Sequence, residues 1–151
     1  MASFVLERVI TAPPEAVFRL SLDVDLHLTS QRGHDERVVA GPTSGQLGEG
    51  DTITWSARHF GIRFRLTSVV FDVDAPRAFS DRQVRGPFAS FLHVHEFDPH
   101  PDGTLMRDTI TFRSPAGPLG RVVDAAVMRR HLIRVIEERN DAIAAHFARI
   151  A

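Results

Sequence analysis

The sequence predicts an α+β fold: a curved antiparallel sheet of about seven strands wrapped on a long C-terminal helix, with two short helices after the first strand. Between Asp51 and Arg113, apolar and polar residues alternate in runs separated by turn formers, as half-buried strands do. After Gly120 neither Pro nor Gly occurs, while Leu119, Val122, Val123, Ala126, Val127, Ile133, Ile136, Ile143 and Phe147 recur at helical spacing. At 1.5 Å per residue that helix is about 45 Å long and must lie across the whole sheet. A straight helix and a curved sheet do not touch everywhere, and the gap is a cavity.

The elements follow in order. Phe4 to Ile10 reads as a strand, with Val5, Glu7 and Val9 opposite Phe4, Leu6, Arg8 and Ile10. Thr11-Ala12-Pro13-Pro14 stops it, and Pro before Glu15 suits a first helical turn with Thr11 as its cap. Helices are expected over 14–21 and 24–30, broken around Ser21 to Asp25, with Gly33 closing this section. Arg37 to Ala40 is a short strand, and Gly41 to Gly50 a loop of turn formers. Asp51 to His59 and Ile62 to Phe71 make a hairpin around His59-Phe60-Gly61. Ile53, Trp55 and Ala57 share one face, Ile62, Phe64 and Leu66 another, and Arg63 and Arg65 point away. Strands near 77–84, 88–98 and 104–113 come next, with a turn at Pro101-Asp102-Gly103. Ser114 to Gly120 ends the sheet and starts the long helix.

Composition narrows the chemistry. The 151 residues fit one domain spanning 1–151, and no linker, repeat or low-complexity tract divides them. Net charge is −1, which favours neither nucleic acid nor acidic membranes. No apolar run approaches the roughly 18 residues of a membrane span, and no signal-peptide pattern opens the chain, so the expected compartment is the cytoplasm without integral membrane association. Cys is absent, which excludes disulfides, thiolate nucleophiles and Cys-based metal sites. Tyr is absent too, and all 18 basic residues are Arg, leaving no Lys for a Schiff base. Any catalyst here works with His, Asp, Glu, Arg, Ser or Thr. No nucleophile-elbow pattern surrounds Ser90 or Ser114, and the Gly-rich loop at 41–50 leads into a strand, not a phosphate-binding helix.

Five polar residues stand where a half-buried sheet should be apolar. Phe79, Asp81 and Gln83 share a face; so do Phe91, His93, His95 and Phe97, and Met106, Asp108, Ile110 and Phe112. The apolar members mark these faces as inward, which carries Asp81, Gln83, His93, His95 and Asp108 inward with them. Buried polar groups are costly unless paired, so a hydrogen-bonded network at the bottom of a cavity is expected. His93 and His95 could both ligate a metal with Asp108 or His59, but core histidines bonded to Asp81, Gln83 and Asp108 are the preferred reading. The expectation is therefore no metal and no cofactor. Arg63, Arg65, Arg129, Arg130 and Arg134 read as solvated charges, with Glu137 and Glu138 spaced for ion pairs to Arg134.

The element order resembles the START-like (SRPBCC) helix-grip superfamily, which includes polyketide cyclases/aromatases, lipid-transfer domains and plant allergens, and most closely its small bacterial single-domain members. The resemblance covers nearly the full length. It rests on Ala12-Pro13-Pro14-Glu15 with Val17-Phe18, Ile53-Thr54-Trp55 leading to Gly61-Ile62, and Asp81-x-Gln83-x-x-Gly86-Pro87-Phe88. Phe91-x-His93-x-His95-x-Phe97, Met106-x-Asp108 and Pro115-x-Gly117-x-Leu119-Gly120 complete it. It implies an internal pocket for an apolar or amphipathic small molecule, in carriers and enzymes alike.

The leading expectation is binding of a lipid-, aromatic- or polyketide-like molecule between sheet and helix. Trp55, Phe64, Phe79, Phe88, Phe91, Met106 and Phe112 would supply the apolar surface, and Asp81, Gln83, His93, His95 and Asp108 would orient a polar group. Pro87-Phe88 follows Gly86 in a loop that could lie at the pocket mouth. The alternative is a cofactor-free cyclase or dehydratase with His93 or His95 as proton shuttle and Asp108 as its orienter. A third reading is an interaction domain whose cavity is filled by side chains. A homodimer is compatible with the sequence, and nucleic acid is not an expected partner.

Overall fold

The computed structural model describes residues 1–150. Strand β1 (Ala2–Ile10) is followed by helices α1 (Pro14–Ser21) and α2 (Val24–Ser30), a short 3-10 turn at Arg32–His34, and strand β2 (Arg37–Ala40). Strands β3 (Thr52–His59), β4 (Ile62–Asp74), β5 (Ala78–Arg85), β6 (Ser90–His100) and β7 (Gly103–Arg113) then run as a meander. All pair antiparallel in the order β1-β7-β6-β5-β4-β3-β2. This is the seven-stranded sheet, gripped by a C-terminal helix, that the alternation predicted.

Local chemistry differs from expectation in three places. Thr11 does not cap α1: Pro13 holds the N-cap position without a side-chain bond, and its carbonyl receives the amides of Ala16 and Val17 at 3.0 and 3.2 Å. Pro14, at the first helical position, has no N–H that would need a partner. The side-chain cap belongs to α2, where the Asp23 carboxylate accepts from the Leu26 amide at 2.9 Å. In the β3–β4 hairpin, Phe64 pairs with Ala57 and Leu66 with Trp55, so these residues share one face of the sheet rather than two. Ile62, at the hairpin tip, is exposed.

The third difference is in the C-terminal helix, which runs for 34 residues but not as one regular α-helix. Helix α3 (Gly117–Val123) passes into a π-turn at Asp124–Met128 and then into α4 (Arg129–Ile150). Asp124 is buried there and accepts from both the amide and the hydroxyl of Ser114. Holding that carboxylate toward the end of β7 fits the wider turn, which absorbs an extra residue in the helix. Leu119, Val122 and Val127, expected on the core-facing stripe, are 67, 62 and 48% exposed. The helix buries its apolar face from Leu132 onward. The pairing expected between Arg134 and Glu138 also gives way, since Glu138 bonds His34 at 3.1 Å.

The core falls into two clusters. One gathers Ile10, Val17, Phe18, Val70, Phe79, Phe97, Met106, Ile143 and Phe147; the other Phe4, Ile110, Phe112, Leu132 and Ile136. Asp108 separates Met106 from Ile110 on β7, and Arg139 and Asn140 separate Ile136 from Ile143 on α4. A polar layer thus divides the interior between the two clusters.

Gly103 opens β7 at φ +137°, and a Cβ there would stand 2.3 Å from the Ile10 carbonyl oxygen. Gly103→Ala is therefore expected to cost on the order of 1–3 kcal/mol from backbone conformation alone, with the clash adding to it. Urea unfolding checks this; an unchanged midpoint would remove the steric argument.

Candidate functional site

Between the concave face of the sheet and the helices lies a cavity of about 480 Å³. That volume suits a small organic ligand. Its walls are mainly apolar, with Trp55, Phe64, Leu66, Phe79, Phe88 and Phe91 from the sheet side and Leu132, Val135 and Ile136 from α4. Asp81, His93, His95 and Arg139 supply one polar region of this lining.

These four join Asp108 and Asn140 in one network. In register, Asp81 faces His93 and Asp108 faces His95, yet each carboxylate bonds the diagonal histidine. Asp108 Oδ1 lies 2.7 Å from His93 Nε2, and Asp81 Oδ2 lies 2.6 Å from His95 Nε2. The two imidazoles stack with centroids 3.6 Å apart, and Phe79 stacks on His95 at 4.0 Å. From α4, Arg139 Nη1 donates to Asp108 Oδ1 at 3.2 Å, and Asn140 Nδ2 donates to Asp108 Oδ2 at 2.9 Å. Arg139 Nη1 also donates to Asn140 Oδ1 at 3.0 Å. Asp108 is wholly buried and the Arg139 side chain 5% exposed, so this ion pair is desolvated and held by several hydrogen bonds at once.

The donors fix the histidine tautomers. A guanidinium can only donate, so Arg139 Nη2, 3.2 Å from His95 Nδ1, makes that nitrogen an acceptor. His95 therefore carries its proton on Nε2 and donates it to Asp81. Burial pushes the His95 pKa down, and neighbouring His93 and Arg139 add to this against the pull of Asp81, leaving it at about 3. Burial pushes the Asp108 carboxyl up, but Arg139 and the two histidines outweigh it and hold the group well below the usual carboxylate range. Asp81 is likewise shifted down, its burial outweighed by the His95 hydrogen bond and the nearby positive groups. His93 donates from Nε2 to Asp108, which leaves Nδ1 as its one ring nitrogen outside the network. Asp81 keeps Oδ1 outside it as well, on a side chain that is 25% accessible and lines the cavity.

Asp81, His93 and His95 each offer a ligand atom within 4.8 Å of the others, close enough for a metal ion. Of these three only His95 is fully engaged: Arg139 occupies its Nδ1 and sets a fixed positive charge where a second cation would meet repulsion. Asp108 is bonded to Arg139, Asn140 and His93. His59, the other ligand considered, lies elsewhere on the lining, with Nδ1 2.8 Å from His131 Nε2.

Trp55, Phe64, Phe79, Asp81, Phe88, Phe91, His93 and His95 all reach the cavity lining. Met106 and Phe112 do not; they are packed into the two core clusters. Asp108 is not on the lining either and sits behind the histidines. Gln83 leaves the polar network altogether. Its amide donates to the Phe88 carbonyl at 2.9 Å and accepts the Phe88 amide at 3.1 Å, which closes the loop that carries Phe88. Arg139 and Asn140 were not among the candidates, although Asn140 falls on the stripe of Ile136, Ile143 and Phe147. His27, Gln31 and Glu36 were also missed, and all three line the cavity.

A family model described as polyketide cyclase / dehydrase and lipid transport matches residues 1–148. No curated protein sequence matches this chain significantly. Among solved structures, TTHA0849 from Thermus thermophilus is similar at 21% identity and a TM-score of 0.75, over 96% of this chain and 99% of that one. CV1439 from Chromobacterium violaceum is similar at 16% identity and 0.70, over 96% of each chain. The major latex-like protein 151 of Panax ginseng is similar at 12% identity and 0.67, over 97% of each. At these identities the likeness establishes the fold.

Proposed function

The chain belongs to the polyketide cyclase / dehydrase and lipid transport family, and from that premise we propose that it binds an apolar or amphipathic small molecule between sheet and C-terminal helix. The observation that carries this is an apolar cavity of about 480 Å³ with a committed polar network along one wall. Asp81 Oδ1 and His93 Nδ1 are the atoms this network leaves for a ligand, and the carboxylate oxygen is an acceptor. The preferred ligand therefore presents a donor, a hydroxyl or amine, to this wall. Phe79, Phe88 and Phe91 desolvate the apolar body.

Calorimetry with para-hydroxybiphenyl and biphenyl tests this. The phenol should bind the wild-type protein at least about tenfold more tightly, one hydrogen bond to a charged acceptor being worth about 1.5–3 kcal/mol. Asp81→Ala should abolish the difference and leave biphenyl binding in place. Equal affinities in the wild type would sink the role given to Asp81. Native mass spectrometry of the purified protein, followed by extraction, would identify any ligand that accompanies it.

A second reading draws on the His93–Asp108 pair. An imidazole oriented through Nε2 by a buried carboxylate, with Nδ1 left over, has the arrangement of a proton shuttle for aldol-type cyclisation or dehydration. His95 is less suited, since Arg139 and Asp81 engage both its nitrogens. On this reading His93→Gln abolishes turnover of a carbonyl substrate while ligand still binds. Turnover that survives the substitution would exclude it. The filled-cavity interaction domain has no comparable support, because the interior leaves room for a ligand.

A further inference from the structure

Across the cavity from Asp81 lies a second polar group that the core network does not use. Gln31, at the C-terminal end of α2, is 1% exposed. Its Nε2 donates to the Val135 carbonyl of α4 at 3.1 Å, which fixes the amide orientation, because the flipped form would set two oxygens against each other. Gln31 Oε1 is then buried with no hydrogen-bond partner among the described residues. Glu36, just before β2, has a side chain 9% exposed, and its Oε1 is also without a hydrogen bond. That oxygen touches His27 Nε2 as an ion-pair contact but lacks hydrogen-bond alignment. His27 in turn stacks on Trp55 of β3 with centroids 4.1 Å apart. All four residues line the same cavity as Asp81.

A buried acceptor with no donor, as Gln31 Oε1 is, is costly unless something donates to it, and Glu36 Oε1 on the same cavity lining has only the His27 contact. We propose that Gln31 and Glu36 form a second polar subsite, so that the ligand is an apolar body with a hydrogen-bond donor, a hydroxyl or amine, at each end. The inference rests on the cavity-binding reading and adds the far end of the ligand to it. Trp55 pairs with Leu66 and Asp81 with Val70 on β4, so the two lie two strand spacings apart across the sheet and four residues apart along it, about 16 Å in all at roughly 4.8 Å per strand and 3.3 Å per residue. A linear aromatic or alicyclic body of about three rings, met by side chains at each end, spans that gap. Trp55 stands at one end of it, beneath His27, where a ligand donor would arrive.

The probes are the para,para″-dihydroxy, para-hydroxy and unsubstituted forms of para-terphenyl, measured by calorimetry and by the emission of Trp55. The chain has one Trp and no Tyr, so that emission reports on this subsite alone. Wild-type protein should bind the diphenol about tenfold more tightly than the monophenol, the worth of one added charge-assisted hydrogen bond. Glu36→Leu and Gln31→Met, each checked for fold by circular dichroism, should shrink that preference to about twofold or less while monophenol affinity holds. Equal affinity for the two phenols in the wild type, or a preference that survives both substitutions, would overturn the subsite and leave cavity binding standing. Failure of the wild type to bind any of the three would overturn the cavity reading and this inference with it.

Discussion

Asp108→Ala is expected to lower folding stability by about 3–5 kcal/mol. The removed carboxylate accepts from His93, Arg139 and Asn140 at once. Without it the Arg139 charge remains 5% exposed with no carboxylate bonded to it, and the Asn140 amide loses its acceptor. The cost comes from the stranded partners more than from the lost bonds. Restoring neutrality should recover part of it, so Asp108→Ala combined with Arg139→Met is expected to be more stable than the sum of the two single losses. Urea unfolding of the four proteins measures that coupling. An Asp108→Ala loss below about 1 kcal/mol, or strict additivity, would mean that water reaches the network and carries its charges.

Acid is the second test. His95 titrates at about 3 in the folded chain, against 6.5 for a free imidazole. Between those values the unfolded chain binds a proton that the folded one refuses, so stability falls as pH drops below about 6.5. The slope is about 1.4 kcal/mol per pH unit for one such group. His59 acts in the same direction: burial, then His131 and His34, lower it to about 4. Its partial exposure makes its share smaller. The carboxylates behave differently. Asp81 and Asp108 are shifted down, so their contribution is intact above the unfolded value near 3.8 and is lost only as pH falls through their folded values. Two stages are therefore expected, a histidine stage starting near pH 6.5 and a carboxylate stage below about 4. Denaturation midpoints from pH 8 to 4 would display the first, and His95→Gln should flatten it. A midpoint constant from pH 8 to 5 would sink this account.

Strand positions were readable because alternation is a local property with a fixed period. The same alternation brought Asp81, His93, His95 and Asp108 to one face, and the structure joins them. It could not place Gln83, whose partner is the backbone of its own loop five residues on. Nor could it separate lining from core: Phe91 and Phe112 are register partners, yet Phe91 reaches the cavity and Phe112 does not. That distinction depends on where the helix touches the sheet. Arg139 and Asn140 were obscured by a different cause. In an Arg-rich helix a basic residue reads as solvated, and only the step from Ile136 to Ile143 shows that a position between them must face inward. Gln31 and Glu36 leave no periodic signature, since they lie at a helix end and beside a short strand. The exposed stripe of α3 misled in the opposite direction: helical spacing of apolar residues does not say how far the sheet extends beneath them.

The polar layer between the two core clusters has an effect on the helix itself. Hydrocarbon packing is forgiving, and a helix held only by Leu and Ile could creep by part of a turn along the sheet. Arg139 and Asn140 instead engage Asp108 and His95 like a key in a keyway, which indexes α4 both along its axis and about it. The gap between helix and sheet is then set by residues that mostly stand outside the apolar walls. Trp55, Phe64, Phe88 and Phe91 become interchangeable upholstery on a rigid frame, free to be recut for a new occupant without moving the frame.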